Sequence, residues 1–251
     1  MVWNIIVDSS CDLIDLETEN NDIHYFSVPF VIRVSDRDYT DDAGLDVSEL
    51  VNEMQRSDLP SYTSCPAPDA WLRQFEAPGD VIAITISSAL SGSYNSTCCA
   101  RNILLEDGSN KKIGIIDSRS TGPAIILAVR RLINSIQAGL DFNETIEDLK
   151  QHVLQTHTIF ALSSFDNLVK NGRMSRLKGA FASKLGMIVV GVGSEKGTIS
   201  IKGIVRGQIK AVQAISKWNN VKVSVFCTKG LNSYYAESRI RPVAGFLYTL
   251  F

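Results

Sequence analysis

Val81-Ile82-Ala83-Ile84-Thr85-Ile86-Ser87-Ser88-Ala89-Leu90-Ser91-Gly92-Ser93 is a short apolar run that stops at small polar residues and gives way to a helical pattern through about Asn102. The same phrase occurs at residues 3–7, which end at Asp8-Ser9-Ser10-Cys11-Asp12, and at residues 113–116, which end at Asp117-Ser118-Arg119-Ser120. Strands alternating with helices predict a parallel sheet, because a parallel crossover needs a long connection that a helix supplies. After the third run, Ile125, Ile126, Val129, Leu132, Ile133 and Ile136 fall at helical spacing, and Gly139 closes that helix. Three strand ends rich in Ser and Asp thus share one carboxyl edge, where open α/β sheets bind ligands.

Beyond Asp141 the pattern changes. Phe142–Gln155 reads as a helix, residues 158–162 as a strand, and residues 165–171 as a short helix before Gly172. Residues 185–192 and 198–205 flank Gly193-Ser194-Glu195-Lys196-Gly197, which predicts an antiparallel hairpin. A chain of 251 residues suffices for two domains. The expected fold class is therefore α/β in two domains. Residues 1–157 hold a parallel sheet with flanking helices, and residues 158–251 hold a second α/β domain containing the hairpin.

Composition narrows the function. With 45% hydrophobic and 21% charged residues the chain is an ordinary soluble globular protein. Its formal charge of -2 supplies no global positive field, so nucleic acid is not an expected partner. Val2-Trp3-Asn4-Ile5-Ile6-Val7 lacks the basic start of a secretory signal, and no apolar run is long enough to span a bilayer. A cytoplasmic location without membrane insertion is expected. Cys11, Cys65, Cys98, Cys99 and Cys227 form no CxxC pair and read as small buried apolar side chains, with neither zinc nor disulfides.

The polar turns carry the candidate chemistry. Gly191, Gly193 and Gly197 have the wrong spacing for a nucleotide loop and precede an alternating strand instead of a helix. Ser87, Ser88, Ser91 and Ser93 lie where a nucleophile elbow would sit, yet the phrase is not G-x-S-x-G. Only His24, His152 and His157 are available as a base, and His152 and His157 are expected to face solvent. The same hydroxyls, with the free N–H groups of a helix start, suit a bound anion. Simple N-capping by Ser91 or Ser93 explains that turn equally well. Tyr62-Thr63-Ser64-Cys65-Pro66-Ala67-Pro68-Asp69-Ala70-Trp71 is a second polar turn, readable either as further hydroxyls or as a plain helix lead-in.

Six phrases in this order resemble the DegV family of fatty-acid-binding proteins: Val7-Asp8-Ser9-Ser10-Cys11-Asp12-Leu13, Thr63-Ser64-Cys65-Pro66, residues 86–94, Asp117-Ser118-Arg119-Ser120, Asn171-Gly172-Arg173-Met174-Ser175 and Val205-Arg206-Gly207. The resemblance implies two α/β domains enclosing one long acyl chain in a tunnel at their junction. It assigns carboxylate contact to Thr63 and Ser91, with Ser64 in the same turn and Gly92 and Ser93 forming the adjoining anion nest. It further implies a fatty-acid kinase subunit as partner, with Arg173 and Arg206 beside the phosphate or that partner. Their bland alternative is surface salt bridging. No cofactor or metal is implied beyond the bound acid.

Three departures from the family stand out. Cys65 replaces the usual Gln, residues 228–237 replace a His- and Gly-rich ending, and a segment is missing near residues 218–221. The expected function is non-catalytic binding and presentation of one long-chain fatty acid. The alternative is a serine-dependent lipid or ester hydrolase. A DNA-binding regulator is the third reading, weakened by the lack of a basic recognition helix.

Overall fold

The computed structural model describes residues 2–16, 18, 20–163, 166–173, 187–216, 223–224 and 247–250. In chain order the first half contains β1 (Trp3–Asp8), β2 (Ile23–Val28), β3 (Val31–Val34), β4 (Arg37–Thr40), α1 (Val47–Arg56), β5 (Tyr62–Ser64) and α2 (Pro68–Phe75). It continues through β6 (Asp80–Thr85), α3 (Ser93–Glu106), β7 (Ile113–Asp117), α4 (Pro123–Gln137) and α5 (Phe142–Gln155). The second half contains β8 (His157–Leu162), α6 (Asp166–Lys170), β9 (Met187–Gly193), β10 (Ile199–Arg206), α7 (Gln208–Ser216), β11 (Val223–Ser224) and β12 (Leu247–Leu250).

The three runs found in the sequence are β1, β6 and β7, and with β2 they form one wholly parallel sheet in the order β2-β1-β6-β7. Both faces are covered, which is why these strands read as continuous apolar runs and not as alternating ones. Trp3, Ile5, Val7, Ile82 and Ile84 point to one face and pack with Ile125, Val129 and Leu132 of α4 and Leu149 of α5. Ile6, Val81 and Ala83 point to the other, against Trp71 and Phe75 of α2 and Ala100 of α3.

A second sheet, β10-β9-β8-β12-β11, is antiparallel throughout. The expected hairpin is β9–β10, with Gly193 opposite Ile199 and a register shift between Ile201 and Gly203. Ala211 and Ile215 of α7 cover Ile159, Ala161, Ile188 and Val190, while Leu168 and Val169 of α6 cover Val189 from the other side.

A third sheet, β4-β3-β5, is not anticipated by the sequence reading. It corrects the view of residues 62–64 as a turn, since Thr63 pairs with Ile32 and Ser64 with Val31 in an antiparallel ladder. Leu50 of α1 packs on this sheet against Val34 and Tyr39.

Two smaller expectations are also corrected. Of the four described cysteines only Cys11 is buried; Cys65 and Cys98 are half-buried and Cys99 is exposed. The reason is the inner face of α3, which comprises Ser93, Ser96, Thr97 and Ala100 and turns Cys99 outward. His157 is exposed as expected, but His152 is half-buried with its Nε2 shielded from water. Met174, Ser175, Cys227, the segment near 218–221 and residues 228–237 lie outside the described residues.

Candidate anion-binding site

β6 is flanked in the sheet by β1 and β7, and each neighbour ends in an aspartate that grips the loop leaving β6. Asp8 ends β1 fully buried; it accepts hydrogen bonds from Ser10 Oγ at 2.5 Å, Ser93 Oγ at 2.6 Å and the Ile86 N–H at 2.9 Å. Asp117 ends β7 and accepts from Ser88 Oγ at 2.5 Å, the Ser88 N–H at 3.1 Å and the Arg119 N–H at 2.9 Å. Burial pushes the Asp8 carboxyl above its usual range, against the lowering effect of its donors. The loop is therefore clamped from both sides before α3 begins.

Within that loop the serines have separate duties. Ser87 is buried and donates its hydroxyl to the Gly197 carbonyl at 2.8 Å, Ser88 donates to Asp117, and Ser93 donates to Asp8. Ser91 differs. Its Oγ accepts the Ser93 N–H at 3.3 Å, which leaves its own proton free to be given outward. The N–H groups of Gly92, Tyr94 and Asn95 have no partner among the described residues. One free hydroxyl and several free amides at a helix start make an anion seat, and the helix dipole favours negative charge there.

The second polar stretch is brought to this seat. Ser96 of α3 donates to the Pro66 carbonyl at 2.5 Å, and a Cβ placed on Gly92 would lie 3.3 Å from Cys65 Sγ. Thr63 and Ser64, two and one residues before Cys65, are exposed on β5, and neither hydroxyl is tied to a neighbour among the described residues.

A third segment arrives from the second half of the chain. Asn171 donates to the Ser61 carbonyl at 2.8 Å, and Arg173 donates through Nε to the Leu90 carbonyl at 3.3 Å and through Nη1 to the Asn171 carbonyl at 3.0 Å. Arg173 is thus fixed next to Ser91, with no partner for Nη2 among the described residues. Among the described residues, no contact brings Arg206 into this cluster. It is exposed at the end of β10, opposite Met187, and makes no hydrogen bond or ion pair among the described residues.

The junction between the halves is polar and close. Ser87 meets Gly197, Ser120 Oγ lies 2.5 Å from Thr158 Oγ1, and Arg119 Nη1 donates to the Glu195 carbonyl at 3.4 Å. The Gly193–Gly197 turn, which superficially resembled a nucleotide loop, is one of the parts of the second half that dock on the strand ends of the first. Sequence reading saw Ser and Asp at those ends but missed the clamping by Asp8 and Asp117. Their position as the last residue of a strand, one residue before a serine, was the available signal.

No histidine is hydrogen-bonded to any of these serines among the described residues, so the arrangement lacks a paired nucleophile and base. Nor do three or more His, Cys, Asp or Glu side chains gather as a metal site among the described residues. A cleft of about 290 Å³, lined by Ser9, Asp12, Tyr25, Phe26, Asp41 and Gln74, among others, adjoins the Asp8–Ser10 turn through Ser9 and includes none of the site residues named above.

Comparison with known proteins supplies the remaining context. The family model described as "Uncharacterised protein, DegV family" matches residues 2–230. A DegV domain-containing protein of Streptococcus pneumoniae is 41% identical over 214 residues, covering 85% of this chain and 76% of the relative. One from Streptococcus gordonii is 30% identical over 270 residues, more than the length of this chain, so it carries stretches without a counterpart here. Among solved structures, the Streptococcus pneumoniae Fatty Acid Kinase (Fak) B3 protein loaded with linoleic acid superposes with a TM-score of 0.83 at 40% identity, covering 87% of this chain and 78% of that one. A DegV family protein of Eubacterium eligens loaded with heptadecanoic acid gives a TM-score of 0.81 at 31% identity, covering 88% and 81%.

Proposed function

The chain belongs to the DegV family, and from that premise we propose that it binds one long-chain fatty acid and presents its carboxylate without covalent chemistry of its own. The carboxylate is received by the hydroxyls of Thr63, Ser64 and Ser91 and by the amides that follow Ser91, and the acyl chain lies between the two halves. The division falls at residues 1–157 and 158–251. One observation carries this reading. Of the four serines in the loop after β6, three spend their hydroxyls on Gly197, Asp117 and Asp8, and only Ser91 keeps a proton to give. The linoleic and heptadecanoic acids in the two solved relatives support the ligand class.

The physics suits a carrier. Each buried methylene contributes about 0.8 kcal/mol, so an apolar tunnel supplies affinity while a few donors fix the head. A hydrolase would need a general base within reach of Ser91, and none is hydrogen-bonded to it among the described residues.

Native mass spectrometry of freshly purified protein tests the ligand class and should find one fatty acid per chain. Thr63→Ala and Ser91→Ala should each weaken acid binding by about 1.5 to 3 kcal/mol, the usual size of a hydrogen bond to a charged group. Methyl-ester binding should stay nearly unchanged. A protein that is found empty and cleaves acyl esters, with loss of cleavage in Ser91→Ala, would establish the hydrolase instead.

The finer role is presentation to a cytoplasmic fatty-acid kinase. There a carboxylate oxygen attacks the γ-phosphorus of ATP and ADP leaves. A guanidinium offers phosphate charged N–H donors, and Arg173, tied through Nε and Nη1, keeps Nη2 for that role beside Ser91. Arg206 serves the kinase surface. Arg173→Ala and Arg206→Ala should keep their lipid yet form less acyl phosphate with a partner kinase. Full turnover in both would remove the kinase role from these arginines and leave the simpler carrier.

A further inference from the structure

Asp8 is a fully buried carboxylate that no function assigned above uses. It has no ion-pair partner among the described residues; its charge is met only by the donors of Ser10, Ser93 and Ile86. Leaving an anion in a core without a cation is costly, and an apolar side chain would fill the place more cheaply. What the carboxylate does gain is control of three elements at once: the short 3-10 turn at Ser9–Cys11, the end of β6 and the first residue of α3.

The decisive link is Ser93. Its hydroxyl is drawn inward to Asp8 Oδ2, so it neither caps its own helix nor turns toward Ser91. Its N–H then takes Ser91 Oγ as acceptor, and Ser91 is left with a proton that must find a partner outside the loop. Resting on the reading of Ser91 as a carboxylate donor, we propose that Asp8 is the positioning residue of the head-group site. Without touching the ligand, it sets Ser93 and thereby aims the Ser91 hydroxyl at the bound carboxylate.

Removing Asp8 frees the Ser93 hydroxyl to donate to Ser91 Oγ, and the aim is lost. An asparagine keeps it. The amide oxygen can still accept from Ile86 and Ser93, while its NH2 faces Ser10, whose hydroxyl turns to accept and whose N–H alone loses its acceptor. Position 8 therefore needs an acceptor facing Ser93 more than it needs a charge.

The test uses the delipidated full chain with palmitic acid and methyl palmitate as probes. Asp8→Ala should lose about tenfold in acid affinity, the size of one charge-assisted hydrogen bond, with ester affinity unchanged. Asp8→Asn should restore acid affinity. Because the effect passes through Ser91, adding Asp8→Ala to Ser91→Ala should cost nothing further. Equal losses for acid and ester, full additivity with Ser91→Ala, or undiminished acid binding in a folded Asp8→Ala would each overturn the proposal. Should Asp8→Ala not fold, Asp8→Leu, which fills the space and likewise offers the Ser93 hydroxyl no acceptor, must show the same acid-only loss. A different result marks failure of the underlying reading. If wild-type protein binds acid no better than ester, or Ser91→Ala changes neither, the head-group site itself is wrong and Asp8 loses its role with it.

Discussion

Gly197 and Gly139 share a left-handed backbone, with φ of +74° and +81°, but not a neighbourhood. A Cβ on Gly139 would meet nothing within 4 Å, whereas one on Gly197 would lie 2.1 Å from Ser87 Oγ and 3.1 Å from the Arg119 backbone. Gly139→Ala should therefore cost only the strain of a left-handed L-residue, about 1–2 kcal/mol. Gly197→Ala should cost visibly more, because it also displaces the Ser87 hydroxyl that holds the halves together. Thermal unfolding of the two variants checks this, and equal losses would show that the junction yields without cost. The contrast also marks what a sequence can disclose about a residue. Gly139 was legible as a helix end, and Gly197 as part of a hairpin turn. That Gly197 presses on Ser87, 110 positions away, has no periodic signature.

Helices and strands differ in the same way. α5 was readable to its bounds because its signals are local: Asp141 accepts from the Asn143 and Glu144 amides, and Glu144 returns a bond to the Asp141 N–H. Asp141→Ala should cost about 1 kcal/mol, seen as a lower unfolding temperature with an unaltered native spectrum. α5 is also tied to α4, where Arg131 and Ser135 together hold the Asp148 carboxyl below its ordinary 3.8. A lowered folded-state pKa gives stability that is full above pH 3.8 and lost as pH falls through the lower folded value. Arg131→Leu should thus shrink the drop in stability below pH 3.8, while leaving less stability at neutral pH. The small sheet shows the opposite case. Its strands are four, four and three residues long, and Thr63 lies in it only because β5 finds β3 across an intervening helix. Short, half-exposed strands bearing pairs such as Arg33 with Asp38 carry neither an apolar run nor a clean alternation. Thr63 was therefore found as a polar residue near prolines, and its place on an edge strand was not.

At the scale of the whole molecule, the site is assembled from strand ends 8, 86–93 and 117, the β5 edge at 61–66 and the turn at 171–173, and no one segment contains it. The order of phrases named the participants, but their convergence depends on contacts such as Asn171 with Ser61 and Arg173 with Leu90 that join the two halves. An acid bound at this junction touches both halves, so it must stabilise them together. Ligand present at 100 times its Kd should add about 2.7 kcal/mol to stability, and delipidated protein should melt correspondingly lower. The gain should depend on chain length in a particular way. Each added methylene deepens binding by about 0.8 kcal/mol while the tunnel has room and by nothing once it is full. A series of saturated acids should then raise the melting temperature stepwise to a break, and the position of that break measures tunnel depth. Ser91→Ala should lower every point of the series by a similar amount without moving the break, because head and tail are held by different groups. A break that shifts with the head-group variant would mean that the acid does not lie with its carboxylate at Ser91.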